Sequence, residues 1–274
     1  MVLTALATAA WSRRRYRHRQ HLRLAQQAMQ LRQQANQRPQ GVHFPAGDAS
    51  RLQVYTVATR PGPGLDQLMA SCHRADLGLT VLGLGNHWEG YGNKWLWTLA
   101  YLKSQDLPPD ALMVFVDGYD VINTARPEEL IAKFRQFNAR VVFSAEVNCY
   151  PDEALAAQYP PSPTRFRYLN AGAAMGHVGD FIRIIERIGF GVTDDDQRGF
   201  TRYFLDHPGE ITLDHQGQLF VSLFRLGMED FEWNAAQQRF ILVETGAQPC
   251  FLHGNGTSAP LLQAMAQRLS LELQ

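Results

Sequence analysis

Asp117-Gly118-Tyr119-Asp120 follows an apolar run from Ala111 to Val116, so two carboxylates arrive at the end of what reads as a buried strand. Charges placed there are costly unless a cation meets them. Ligands of open α/β sheets bind beyond the carboxyl ends of the strands, which makes the expected cation a hard divalent metal holding a phosphorylated ligand. A lone Asp after a strand reads more simply as the cap of the next turn or helix. The second Asp, the triplet Asp194-Asp195-Asp196 and the run His253-Gly254-Asn255-Gly256 shift the balance toward metal. The small residues after His253 let backbone N–H groups come close to a phosphate. By itself, an acidic triplet at a helix start commonly does no more than complement the helix dipole. Lys94 is one of three lysines and follows Gly90, Gly92 and Asn93 at the start of a helical stretch. It can offer a point charge to a diphosphate or be an ordinary exposed helix residue. Trp88 and Trp97 flank that loop and either wall a ligand pocket or belong to the core.

These residues need a scaffold, and the pattern around them is α/β. Leu52 to Thr59 reads as a first strand, closed by the turn Pro61-Gly62-Pro63-Gly64. Leu65 to Arg74 has helical spacing, Leu79 to Leu84 is a short strand and Lys94 to Lys103 is helical again. Leu112 to Val116 is the strand that ends at the Asp pair. Pro127 to Phe137 is a helix opened by proline, and Val141 to Ser144 is another strand. Such alternation implies βαβ units and a largely parallel sheet. After Asn170 the periodicity weakens, leaving Asp180 to Ile188 and Gln197 to Leu205 as expected helices.

The chain has 274 residues, 45% of them hydrophobic, enough for one large core. Its formal net charge of zero hides an asymmetry. Eight of the 26 basic residues are arginines between Arg13 and Arg38, and no acidic residue precedes Asp48, so residues from 41 onward hold 18 basic against 26 acidic, a net of −8. An acidic body suits metal binding and argues against a specific nucleic-acid groove. Residues 1–48 read as an Arg- and Gln-rich arm and linker, punctuated by Pro39, Gly41, Pro45 and Gly47, and residues 49–274 as the catalytic domain. Val2 to Trp11 is about half of the roughly 20 apolar residues a membrane-spanning helix needs. Charges follow this run instead of preceding it, unlike a secretory signal. The arm reads as solvated and partly helical, with weak contact to an anionic membrane surface as the alternative. Cys72, Cys149 and Cys250 are widely spaced and form neither a disulfide framework nor a zinc pattern, so a reducing, cytoplasmic compartment is expected.

The segments Val142-Phe143-Ser144-Ala145-Glu146, Arg167-Tyr168-Leu169-Asn170-Ala171-Gly172, Asp195-Asp196-Gln197, Phe204-Leu205-Asp206, Ile211-Thr212-Leu213-Asp214-His215 and His253-Gly254-Asn255-Gly256 follow one another in order. In this the chain, from about Leu52 to Thr257, resembles the glycosyltransferase domain of the procollagen lysyl hydroxylases and related collagen galactosyl- and glucosyltransferases. The resemblance implies a GT-A fold, a UDP-hexose donor (galactose or glucose), Mn²⁺ as cofactor and a hydroxyl acceptor on peptide or glycan, such as hydroxylysine or galactosyl-hydroxylysine. It makes Asp117, Asp120 and His253 the metal ligands and stacks Tyr119 on uracil, with Thr56 and Val57 lining the same pocket. Trp88, Lys94, Gly254, Asn255 and Gly256 complete the donor side. Asp195 and Asp196 become candidates for positioning the donor or for activating the acceptor hydroxyl as a general base. Glu146, Tyr150 and Asn170 fall on the acceptor side, Tyr150 standing where the family often has Trp.

Three departures from the family pattern stand out. Gly90-Tyr91-Gly92-Asn93-Lys94 is less glycine-rich than usual, Arg198-Gly199 replaces an apolar pair, and Thr257-Ser258-Ala259 lacks the Pro and Lys that often follow Gly-Asn-Gly. No iron-binding His-x-Asp segment follows, so hydroxylase activity is not expected. Two other readings compete: a metal-dependent phosphohydrolase, since acid pairs after a strand serve that chemistry too, and a nucleotide-sugar-binding module without turnover.

Overall fold

The computed structural model describes residues 41–44 and 52–270. The arm read in residues 1–40, with its membrane-surface contact, lies outside the described residues. In chain order the strands are β1 (Val42–Phe44), β2 (Leu52–Val57), β3 (Gly78–Leu82), β4 (Leu112–Asp117), β5 (Val121–Asn123), β6 (Val141–Glu146), β7 (Tyr168–His177), β8 (Thr212–Asp214), β9 (Phe220–Ser222), β10 (Phe231–Asn234), β11 (Arg239–Leu242) and β12 (Phe251–His253). The α-helices are α1 (Pro63–Arg74), α2 (Gly92–Ser104), α3 (Pro127–Gln136), α4 (Val178–Ile188), α5 (Asp196–Asp206) and α6 (Ala259–Arg268).

The central sheet has seven strands in the order β1-β3-β2-β4-β7-β6-β8. Strands β3, β2, β4, β6 and β8 run the same way, while β1 and β7 oppose them. The class is therefore α/β with a mostly parallel sheet. Alternate residues of β4 face opposite sides: Val114 and Val116 join Leu68 of α1 and Leu130 and Phe134 of α3, whereas Met113 and Phe115 join Trp95 of α2, Phe181 of α4 and Phe200 of α5. Helices thus cover both faces, which explains why β4 reads as a continuous apolar run. Proline opens α1 and α3, and α4 stops at Gly189, whose φ of 66° fits a left-handed C-terminal cap.

Some expected boundaries shift. The first strand ends at Val57, and the strand expected to reach Leu84 ends at Leu82, where Gly83 turns with φ 84°. Val42–Phe44, read as linker, pairs antiparallel with β3 as an edge strand. The weak pattern after Asn170 conceals β7, ten residues long and seated between β4 and β6. Small residues dominate β7 because its neighbours leave no room: a Cβ at Gly172 would lie 2.2 Å from His253 Cε1, and one at Gly176 would lie 2.6 Å from the Arg140 carbonyl. A second, three-stranded sheet, β5-β12-β9, docks beside the end of β4, with β12 antiparallel to β5 and parallel to β9.

Candidate active site

β4 carries Asp117 at its last position, and the chain turns through Gly118 and Tyr119 to Asp120 before entering β5. Glycine is required in this turn, because a Cβ at Gly118 would sit 2.6 Å from the Val57 carbonyl. The β5–β12 register sets His253 opposite Val121, and the Gly254 amide donates to the Asp120 carbonyl at 2.7 Å. This pairing closes a triad distant in sequence. His253 Nε2 lies 3.5 Å from Asp120 Oδ2 and 3.7 Å from Asp117 Oδ2, and one ligand atom from each of the three residues falls within 4.8 Å of the others.

The donor set fits a divalent cation. His253 is buried, and its Nδ1 has no hydrogen-bond partner among the described residues. Burial opposes protonation of His253, but Asp120 and then Asp117 outweigh it and hold the imidazole pKa above its usual value. Burial raises Asp117 despite the opposing charge of Lys94. Asp120 is also pushed up by burial, yet the His253 charge and hydrogen bond bring it below the ordinary carboxylate value. Two carboxylates favour a hard divalent cation, and the imidazole favours the softer end of the Mg, Ca and Mn group.

Lys94 is not an exposed helix lysine. Its ammonium is buried at the start of α2, 2.8 Å from Asp117 Oδ1 and 2.7 Å from Asp196 Oδ2. Burial disfavours its charge, but Asp117 and Asp196 overcome that and raise its pKa. Asp196 Oδ2 also accepts the indole N–H of Trp95 at 3.2 Å, giving a fully buried Trp the polar partner it needs. The reach toward a diphosphate expected of Lys94 is therefore taken up, in this geometry, by two carboxylates.

The acidic triplet divides into three tasks. Asp194 Oδ2 accepts from the Gly191 amide at 2.6 Å, and Asp195 Oδ1 caps α5 through the Arg198 amide at 2.8 Å. Asp196 is buried against Lys94 and Trp95. Asp195 remains half-buried with its second oxygen outside that cap.

Glu146, at the end of β6, is the hub of a buried polar network. Its Oε1 accepts from Asn170 at 3.1 Å and Gln197 at 2.8 Å, and its Oε2 accepts from Asn255 at 3.2 Å. Burial raises the Glu146 pKa against the pull of these donors. Gln197 also donates to the Tyr150 carbonyl at 3.0 Å and accepts from the Ala171 amide at 3.1 Å, joining the end of β6, the loop after it, β7 and α5. No role is assigned to Gln197 by sequence alone; its place beside Asp195 and Asp196 is the one available signal. Asn255 Oδ1 accepts from the Phe224 amide, so both ends of its side chain tie protein segments together. Gly254 has its amide engaged with Asp120, whereas Gly256 is exposed with φ 63°.

On the other side of the Asp pair, Thr56 is buried with its hydroxyl donating to the Val116 carbonyl at 2.7 Å, and Val57 is buried beneath Gly118. Tyr119 is exposed, and its hydroxyl accepts from the Thr59 and Arg60 amides and donates to the Arg60 carbonyl. Trp88 is exposed and packs edge-on against Trp97 and Tyr91. Tyr150 is exposed as well, in a loop held by a bidentate pair between Arg198 and Asp152.

Comparison with known proteins adds a family assignment. Residues 48–271 match the family model described as the PLOD GT domain. The multifunctional procollagen lysine hydroxylase and glycosyltransferase LH3 of Rattus norvegicus is 33% identical over 238 residues, covering 81% of this chain and 31% of that protein. Procollagen-lysine,2-oxoglutarate 5-dioxygenase of Drosophila melanogaster is 33% identical over 238 residues, covering 80% of this chain and 32% of that one. The chain thus spans about a third of the length of these curated relatives. A solved apo structure of WbbM, a bifunctional glycosyltransferase, aligns with a TM-score of 0.46 and 11% identity over 83% of this chain and 50% of that chain.

Proposed function

Since the chain belongs to the family of PLOD glycosyltransferase domains, we propose that it is a divalent-metal-dependent hexosyltransferase of GT-A type. It takes galactose or glucose from a UDP-sugar and transfers it to a hydroxyl acceptor. The observation that carries this reading is the convergence of Asp117, Asp120 and His253 at the carboxyl end of a central strand. These three residues would hold the ion, which when bound neutralises the diphosphate charge that develops as the sugar leaves. Lys94 fixes the Asp117 carboxylate and couples it to the first turn of α5 through Asp196. Asp195, beside that turn, keeps one oxygen in the helix cap and presents the other to a sugar or acceptor hydroxyl as positioning group or general base. Tyr119, Thr56 and Val57 border the uracil side, and Glu146 with Asn170 anchors the acceptor side. The relatives are named for procollagen lysine, which favours hydroxylysine or its galactosylated form as acceptor. Free, buried thiols at Cys72, Cys149 and Cys250 support a reducing compartment.

The test is UDP release from a panel of UDP-sugars, with Mn²⁺ or chelator, with and without hydroxylysine peptide and its galactosylated form. The expected result is metal-dependent release from one hexose donor, stimulated by one peptide and abolished by Asp120→Asn. Direct titration with UDP then separates the cases. Metal-independent UDP binding would overturn the metal role, and no UDP binding at all would overturn the donor assignment.

A further inference from the structure

The loop after β6 carries Tyr150, and α5 opens on Asp195 and Asp196. Two consecutive residues of that opening turn fasten the loop. Gln197 Nε2 donates to the Tyr150 carbonyl at 3.0 Å, and the Arg198 guanidinium donates through Nε and Nη2 to the two carboxylate oxygens of Asp152 at 2.8 and 2.9 Å. The second tie is the stricter, since two parallel N–H···O bonds fix orientation as well as distance. The hydrogen bond from Arg198, helped by its charge, holds the Asp152 carboxyl below the usual carboxylate value. Arg202, one turn further along α5, reaches Asp152 only at 3.8 Å.

Arg198 also acts through its backbone, because its amide makes the 2.8 Å bond to Asp195 Oδ1 that caps α5. One residue therefore holds Asp195 by its main chain and Asp152 by its side chain, with Tyr150 two positions before Asp152. Buried Cys149 anchors the loop before Tyr150, and the Arg198–Asp152 pair anchors it after. The Tyr150 ring is exposed, so these anchors set where it stands. An ion pair as open to solvent as this one adds little to global stability. What it supplies is position. We propose that Arg198 is a positioning residue for the acceptor: its side chain keeps the Tyr150 loop at a set distance from Asp195, so that an acceptor meets a preformed wall. This rests on the glycosyltransferase reading above, in which Asp195 faces the reacting groups and Tyr150 the acceptor. A wall ordered beforehand need not be ordered by the incoming acceptor, and the difference appears as acceptor affinity.

The experiment compares the full chain with Arg198→Met, which keeps an unbranched stem and leaves the backbone amide on Asp195. Hydrogen–deuterium exchange over residues 147–158 needs no turnover, and it includes the Leu155 amide, bonded to the Asp152 carbonyl at 3.0 Å. Exchange there is expected to quicken about tenfold in the variant, while β4 and the denaturant midpoint stay near wild type. Unchanged exchange in this segment, or a rise spread through the domain with a lower midpoint, would overturn the proposal. UDP release is then measured with the hydroxylysine peptide or its galactosylated form, whichever stimulates the wild type. The KM for that peptide is expected to rise roughly tenfold, with kcat and the KM for the UDP-sugar changed far less. Equal changes in both KM values, or none in that of the peptide, would count against an acceptor role and overturn it. Arg198→Lys, which retains the charge without the fork, should recover only part of the loss. Asp152→Asn should reproduce Arg198→Met, and the double variant should be no worse than either. Additive losses would show that the two residues act separately and would also overturn the proposal. A wild type stimulated by neither peptide would overturn the acceptor assignment, and this role for Arg198 with it, whereas the tether is read by exchange alone.

Discussion

Lys94 shows how one buried cation organises a site made of acids. It stands between Asp117 and Asp196, each within 2.8 Å, and removing it would leave two carboxylates facing each other with little water. Breaking a buried pair from one side costs on the order of 3–5 kcal/mol, because the remaining charge is uncompensated. Lys94→Met is therefore expected to lower unfolding stability by that order in denaturant titration, and adding Asp196→Asn should recover part of the loss. Recovery would be absent if Lys94 stabilised the fold through packing of its methylenes alone. Scarcity and glycine neighbours single out Lys94 in the sequence, but nothing there names its partners: Asp117 lies on a different element, and Asp196 reads as one of three equivalent acids. That triplet separates into a loop tie, a helix cap and a buried ion pair only because α5 begins between Asp195 and Asp196.

Elements differ in how openly the sequence declares them. β2, β4, β6 and α1 through α5 have apolar runs or helical spacing, and their boundaries follow turns and prolines. β7 has neither, since Asn170-Ala171-Gly172-Ala173-Ala174 lacks the branched and aromatic residues that pleated surfaces favour. Its composition answers a steric demand that is visible only in three dimensions. Gly172→Ala should accordingly act on the site: its Cβ would meet His253 Cε1 at 2.2 Å and Asp117 Oδ2 at 2.8 Å. Metal affinity, measured by calorimetric titration, is expected to fall at least tenfold, with an overpacking cost of about 1–3 kcal/mol. Gly176→Ala, which presses on the Arg140 carbonyl and Val141 of the neighbouring strand instead, should destabilise the fold while leaving metal affinity near wild type. The three-residue strands β5, β9 and β12 are equally silent in sequence, being too short to show a period, although the β5–β12 pairing brings His253 beside Asp117 and Asp120.

For the molecule as a whole, acid sensitivity follows from a brace outside the site. Glu210 accepts from Tyr203 of α5 and from Arg183 and Arg187 of α4, and the Tyr203 hydrogen bond followed by that of Arg183 lowers its pKa from 4.5 to about 2. A carboxylate whose folded pKa is depressed contributes stability above its unfolded value and loses it as pH falls through the folded one. The stability difference between wild type and Glu210→Gln should hold steady above pH 4.5 and shrink toward zero near pH 2, as read from denaturant midpoints across that range. A constant difference across the range would show that charge plays no part in the brace. The pairing of β12 with β5 has a consequence of another kind. Asp120 and His253 are separated by 132 residues of chain, which must be made before the triad can close. A domain folds as a unit, so in a nascent chain the proposed metal triad stays incomplete until β12, the last strand, has emerged and paired with β5.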